Sequence, residues 1–284
     1  MKRSAGKIFI KGMLLSFIIV AILLSAGILG YRLTMHFFKA PEEKAIVAYQ
    51  DETVPETVTE ASVDDISRNL IFCYDEKTSE ITKIVLEIFH CGKKKITYIT
   101  IPMRTQLTMS DSLYRKMLLV NPEIPQMMQL SVMTNYMDSD TVFDYGTLML
   151  EDLLGIKISY YTVIPKSIYD TMFVSKKIKS SGAGASAAPA AEQNLPVEAF
   201  SKDYIKFVKT LKTEDDINNY IEDIYPKLIT NLPLEEKQKY LESYSMTPLS
   251  NISFELMKGN DENSGYYVDP VLAASRLNEL MKAN

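Results

Sequence analysis

The chain has 284 residues, 46% of them hydrophobic, and a formal net charge of −5. That is enough apolar material for one sizeable core plus appendages, and the mildly acidic total without a long basic run excludes nucleic acid as the main partner. Only two cysteines and two histidines occur, without C-x-x-C or H-x-x-x-H spacing, which excludes a zinc-type site.

Lys2, Arg3, Lys7 and Lys11 precede an uncharged run, Met13 to Gly30. At about 1.5 Å per residue this run, with Ile8 to Ile10 before it, is long enough for a hydrocarbon core of roughly 30 Å. The basic flank predicts residues 1–12 in the cytoplasm, a transmembrane signal anchor over 13–31, and export of everything after Tyr31. A cleaved signal peptide is the rival reading, and it is disfavoured by the length of the run and the lack of a clear A-x-A site. Export permits a disulfide between Cys73 and Cys91, and two small apolar residues on neighbouring strands fit equally well.

Residues 32–65 are acidic and rich in Thr, Val and Glu, with no sustained period, and read as a stalk. The main domain is expected over 66–284. "NLIFCYD" and "ITKIVLEIFH" are strand-like runs rich in β-branched residues. "CGKK" supplies a turn, and "KITYITIP" is a third strand, with Ile96, Tyr98 and Thr100 on one face and Thr97, Ile99 and Ile101 on the other. Pro102 ends it, because proline cannot donate to the next ladder bond. "NPEIPQMMQLSVMTNY" is expected to be helical, with prolines in its first turn. "FDYGTLMLEDLLG" is expected to be a helix closed by Gly155, and "IKISYYTVI" a strand. Lys179 to Asn194 is a small-residue tract with no apolar face, a flexible interruption of the domain. After it come helices over 198–211, 213–229 and 232–244, a strand in "NISFELMKG", and a final helix opened by Asp269-Pro270. The order of strands and helices predicts an α/β domain with a mixed β-sheet flanked by helices.

"RNLIFCYDEKTSEITKIVLEIFHCGKKKITYITIPMRTQL" after a signal anchor, followed by "VFDYGTLMLEDLLGIKISYYTVI", resembles the LytR-CpsA-Psr (LCP) family of cell-envelope proteins. Residues 66–175 carry the resemblance, and 220–284 carry it more loosely. It implies an LCP-like fold, a position outside the membrane, and a role in cell-wall polymer assembly. Family members transfer polyprenyl-pyrophosphate-linked glycopolymers onto peptidoglycan using Mg2+, chemistry that needs arginines and carboxylate-held metal to neutralise a pyrophosphate. An apolar groove must also hold the isoprenoid tail, and "MMQLSVM" is a candidate lining, with ordinary core packing as the alternative.

Carried over residue by residue, the family's Ile-Pro-Arg-Asp-Thr becomes Ile101, Pro102, Met103, Arg104 and Thr105. Its arginine position holds Met103, and its acidic position holds Arg104. The aspartate expected at the start of the preceding strand is Thr82, while the aspartate ending the first strand survives as Asp75. No arginine lies between Arg115 and Arg276, where the family's arginine-rich segment belongs. The site expectations are therefore Arg104 as a phosphate contact or a solvated arginine, and Asp75 as a metal ligand or a turn cap. Lys93 to Lys95 form a solvated turn or approach anionic head groups. No catalytic residue is assigned. The reading is a catalytically degenerate LCP-like protein that binds polyprenyl-linked glycopolymer or a partner, with Mg2+ needed only if transfer survives. The alternatives are an active phosphotransferase, and an adaptor or sensor unrelated to polymers.

Overall fold

The structure is a computed structural model and describes residues 65–175 and 195–282. The expected membrane anchor, the stalk except Asp65, and the 179–194 tract lie outside the described residues. Among the described residues no helix is long and apolar enough to cross a membrane.

A six-stranded mixed sheet forms the centre. Its strands are β1 (Ile66–Asp75), β2 (Glu80–His90), β3 (Lys95–Ile101), β6 (Tyr160–Pro165), β9 (Ile229–Thr230) and β10 (Ile252–Leu256), in the order β10-β3-β2-β1-β6-β9. Strands β1, β2 and β3 form an antiparallel meander, β6 runs parallel to β1, and β10 runs parallel to β3. Four strands therefore point the same way and share one carboxyl edge. The nearly continuous apolar runs of β1 and β2 are explained by burial on both faces. Strand alternation places Ile99 and Ile101 in one core cluster and Ile96 and Tyr98 in the other.

Between β3 and β6 lie a short pair, β4 (Gln106–Thr108) with β5 (Met127–Gln129), and two helices, α1 (Asp111–Val120) and α2 (Val142–Leu154). The helix expected over 121–136 is replaced by a turn, β5 and a 3-10 segment over Leu130–Asn135. The prolines are the cause: Pro122 and Pro125 lack donors and push the residue before each toward extended backbone, and Asn121 has φ −143° and ψ 111°. The helical turn forms upstream instead, where Ser110 accepts a bond from the Leu113 N–H at 3.4 Å. Gly155 ends α2 in the left-handed conformation, φ 64°, and its N–H reaches the Glu151 carbonyl at 2.9 Å.

Helix α3 (Lys166–Met172) follows β6, and β7 (Phe173–Ser175) pairs with β8 (Val197–Phe200). The helix expected from residue 198 begins only at α4 (Lys202–Val208), because 197–200 are taken by that strand pair. Helix α5 (Glu214–Ile224) carries a full Thr213/Asp216 capping box. The single helix expected over 232–244 breaks at residues 239–240 into α6 (Leu234–Gln238) and α7 (Leu241–Ser245), where Tyr240 turns into the core. A hairpin absent from the sequence reading, β11 (Gly259–Glu262) with β12 (Gly265–Val268), precedes α8 (Pro270–Met281). Asp269 caps α8 by accepting the Val271 and Leu272 N–H groups at 3.0 and 2.9 Å.

Helices α1, α2 and α8 cover one sheet face, and α3, α7 and the β7–β8 pair cover the other. Neither Cys73 nor Cys91 is in a disulfide. Cys73 pairs with Lys83 near the carboxyl end of β1, whereas Cys91 follows the His90 that pairs with Ile66 at its start. The seven-residue offset from Ile66 to Cys73 spans roughly 23 Å, far beyond the ~7 Å that a disulfide bridges.

Candidate functional site

In open α/β sheets ligands gather outside the carboxyl ends of the strands. Here that edge is formed by the ends of β1, β3, β6 and β10, and it brings Asp75, Pro102, Met103, Arg104 and Lys166 to one side of the molecule. Phe72, Ile84 and Ile101 lie at one level across β1, β2 and β3. Asp75 projects past that level on β1, and the 102–105 turn leaves β3 two strands away.

Pro102 starts a tight turn, closed by the Thr105 N–H bonding to its carbonyl at 2.9 Å. The alternation of β3 carries through the turn, so Met103 continues the row of Ile99 and Ile101. It is 1% exposed and packs in the same cluster as Met109, Met117, Met128 and Met257. Arg104 points the other way and meets the β11–β12 hairpin. Its Nη2 donates to the carbonyls of Glu262 and Asn263, each at 2.8 Å, and its Nη1 lies 3.4 Å from Asp261 Oδ1. The hairpin is held at both main chain and side chain. The Tyr266 N–H bonds to the Arg104 carbonyl at 2.9 Å, and the Gln106 and Gln129 amides both donate to the Ser264 carbonyl at 3.0 Å. Gly265 makes this approach possible, since a Cβ there would come within 2.9 Å of the Arg104 carbonyl oxygen.

Asp75 is occupied by its own turn. Its Oδ1 accepts the Lys77 N–H at 3.0 Å and its carbonyl accepts the Ser79 N–H at 2.8 Å, with Ser79 left-handed at φ 57°. Thr82 bonds to the carbonyl of Cys73 at 3.2 Å and to its sulfur at 3.1 Å. Burial pushes the Cys73 thiol up to about 11 despite that bond, so it is neutral at ordinary pH and is no nucleophile. Lys166 pairs with Asp170 at 2.9 Å, and Lys83 donates to the Leu195 carbonyl at 3.2 Å. The donor set does not fit Mg2+, which prefers several oxygen ligands in octahedral array. Here the Asp75 Oδ1 caps a turn, while Thr82, where the resemblance implies a second carboxylate, offers only a hydroxyl that bonds to Cys73. Among the described residues no group of three or more His, Cys, Asp or Glu is placed to hold a metal.

The methionine-rich segment is core rather than open groove. Met128, Leu130, Met133 and Met137 are buried, and only Met127, at 63% exposure, faces out. A cleft of about 360 Å3 lies elsewhere, between the start of α1 and the end of α2, lined by Ser110, Lys116, Asp152, Gly155 and Lys157. Its charges are mixed, and Asp152 is already bound to the Ser110 N–H at 2.7 Å.

One cluster went unread in the sequence. Glu87 lies 5% exposed in the middle of β2, where it accepts the Tyr244 hydroxyl at 2.8 Å and the Asn69 amide at 3.5 Å. Lys237 donates to the hydroxyls of Tyr160 and Tyr244 at 3.0 and 3.2 Å and sits 4.5 Å from the centre of the Tyr244 ring. Burial works against the Lys237 ammonium, but Tyr160 and Glu87 outweigh it and hold the group more basic than an ordinary lysine. Burial, then Glu87, keeps the Tyr98 phenol neutral. The available signal was a lone carboxylate inside the apolar run "IVLEIFH".

No protein-family model matches the chain, and no curated protein matches it. Solved structures do. The gbs0355 protein of Streptococcus agalactiae is 14% identical over 76% of this chain and 86% of its own, with a TM-score of 0.50. TagV of B. subtilis is 11% identical over 78% of this chain and 100% of its own, with a TM-score of 0.49. TagT bound to LI-WTA is 12% identical over 81% of this chain and 96% of its own, with a TM-score of 0.45. TagV and TagT are LCP family proteins. At such identities the likeness speaks for the fold alone: a mixed sheet flanked by helices, shared with gbs0355.

Proposed function

We propose that this chain is a membrane-anchored, extracytoplasmic LCP-like protein of cell-wall polymer assembly, which binds polyprenyl-linked glycopolymer without efficient transfer. The observation that carries the reading is the β3 exit. The position at which the family presents an arginine holds a buried methionine, and the arginine beside it directs its donors at a hairpin. A pyrophosphate leaving group needs several cations, and loss of one comparable charge-stabilising donor costs roughly 3 kcal/mol of barrier in well-studied oxyanion sites. The resemblance of residues 66–175 to the LCP family supports a lipid-linked glycopolymer as the ligand class, with peptidoglycan as its neighbour. The N-terminal run Met13–Gly30 supports single-pass anchorage with the N-terminus in the cytoplasm.

The test incubates the purified protein with lipid-linked glycan, peptidoglycan and Mg2+, and compares wild type with Arg104→Ala. The expected result is saturable binding of the lipid-linked glycan without turnover. Robust transfer that is abolished by Arg104→Ala would restore the active phosphotransferase.

A further inference from the structure

The edge of the sheet opposite the candidate site is where β1 and β3 begin and β2 ends, and it gathers features that the polymer reading leaves unused. The turn Lys93–Lys94–Lys95 crosses it, with Lys93 and Lys95 exposed and Lys94 in the left-handed conformation at φ 48°. The Lys93 ammonium reaches the Lys282 carbonyl at 2.9 Å, which brings a fourth lysine beside the turn. Two apolar side chains flank it in the open: Met246 is 50% and Leu249 43% exposed. They belong to the same surface, since Lys94 Nζ lies 2.7 Å from the Met246 sulfur and the Asn251 amide donates to the Lys94 carbonyl at 3.1 Å. The carboxylates nearby are Asp65, Glu242 and Glu255, and Arg276 already holds Glu255 at its Oε2 at 3.0 Å. Asp65, the first described residue, bonds through its carbonyl to the Cys91 N–H at 2.9 Å. The described chain therefore begins at this edge, and the uncharged run Met13–Gly30 precedes it in sequence.

We propose that this amino edge docks on an anionic lipid surface, with Lys93, Lys94, Lys95 and Lys282 at the head groups and Met246 and Leu249 entering the interface. Lysines within a Debye length of an anionic leaflet are attracted to it, and exposed apolar side chains beside them add burial that water does not offer. Docking in this sense points the carboxyl edge outward. Strand β1 has 10 residues, which at ~3.3 Å each puts the edge carrying Asp75 and Arg104 about 30 Å from the head groups. The inference rests on the anchorage proposed above.

The experiment uses the full chain, carrying Cys91→Ala, in nanodiscs of phosphatidylglycerol or of phosphatidylcholine. One fluorophore is attached at Met246→Cys or, as the opposite-edge control, at Glu76→Cys, and quenching by neutral acrylamide is read. In phosphatidylglycerol the label at 246 is expected to be quenched about threefold less than the label at 76, as befits insertion at a charged interface. In phosphatidylcholine the two should match. Replacing the lysines as K93Q, K94N, K95Q and K282Q, with asparagine chosen because it tolerates the left-handed position, should abolish the protection. Equal quenching at 246 and 76 in phosphatidylglycerol overturns docking. So does protection that persists in phosphatidylcholine, which would mean that the acidic 32–65 segment of the chain itself covers the lysines. Failure to enter nanodiscs at all overturns the anchorage and the docking together.

Discussion

The two faces of the sheet are built from different materials. One is rich in aliphatic and sulfur-bearing side chains, with Leu70, Leu86 and Ile101 under Met103, Met109, Met117, Met133 and Met149, beside a smaller ring group of Phe72, Phe143 and Tyr161. The other is aromatic, with Phe89 stacked on Tyr244 at 4.2 Å, Tyr98 stacked on Phe254 at 5.3 Å, and Glu87 and Lys237 held among the rings. Methionine has three rotatable bonds and fills the irregular space beneath a 3-10 turn, short strands and a hairpin without needing a polar partner. The aromatic face carries polar groups that need partners, since an unpartnered carboxylate or phenol in that layer costs more than a lost contact. Glu87 and the Tyr244 hydroxyl are matched there, while the buried Tyr169 hydroxyl has no partner among the described residues. The difference shows where this chain departs from the family it resembles. The corner where the resemblance implies a phosphate is packed into the adaptable face by Met103, while the buried Glu87 lies on the other one.

The largest expected effect comes from forcing the family residue back into that corner. Met103→Arg places an unpaired guanidinium among Ile101, Met109 and Met128, and should cost roughly 3–5 kcal/mol, the range for an uncompensated buried charge. Met103→Leu should stay within about 1.5 kcal/mol, as volume-conserving core exchanges do. Urea titration followed by circular dichroism separates them. A Met103→Arg protein as stable as wild type would show that the corner opens, and that the methionine face is less closed than its packing indicates.

Strands β1, β2, β3, β6 and β10 were legible in the sequence because alternation and β-branched runs depend on local geometry alone, and the same holds for Gly155 as the end of α2 and Asp269 as the cap of α8. The two- to four-residue strands, too short to show a period, were not. The segment 121–136 was misread because prolines suit the first turn of a helix as well as a turn that leads into a strand. The extended backbone that Asn121 takes before Pro122 decided between them. The site was half legible. Counting residues from Pro102 identified Met103 and Arg104, but nothing local revealed that a hairpin more than 150 residues later would take up the arginine's donors. Glu87 was visible, and only its burial was not.

A smaller effect is expected on the aromatic face. Glu87→Leu removes the acceptor of Tyr244 and Asn69 and the compensating charge of Lys237, and should cost about 3 kcal/mol. Adding Lys237→Met should return part of that loss, because the remaining partners no longer surround a stranded ammonium. A double-mutant cycle measures the coupling, expected at roughly 1–2 kcal/mol. Strict additivity would mean that Glu87 and Lys237 act independently despite the shared Tyr244 hydroxyl.

The smallest effect is expected at Arg104, although it is the residue closest to the family's chemistry. Its ion pair with Asp261 spans 3.4 Å between side chains that are 31% and 63% exposed, so solvent screens most of it. The two 2.8 Å bonds to the Glu262 and Asn263 carbonyls are charge-assisted and better aligned with a structural role. Arg104→Ala should therefore lower global stability by only about 1 kcal/mol. The backbone bond from Tyr266 to residue 104 survives the substitution, so the hairpin should loosen rather than detach. Amide hydrogen exchange is the matching measurement. Protection across Gly259–Val268 should fall about fivefold while β1, β2 and β3 stay unchanged, as expected for a local opening that leaves the global unit intact. Asp261→Ala, which removes only the screened pair, should leave the same amides at their wild-type rates. Unchanged hairpin exchange in Arg104→Ala would remove the structural explanation for its donors and return the residue to the ligand.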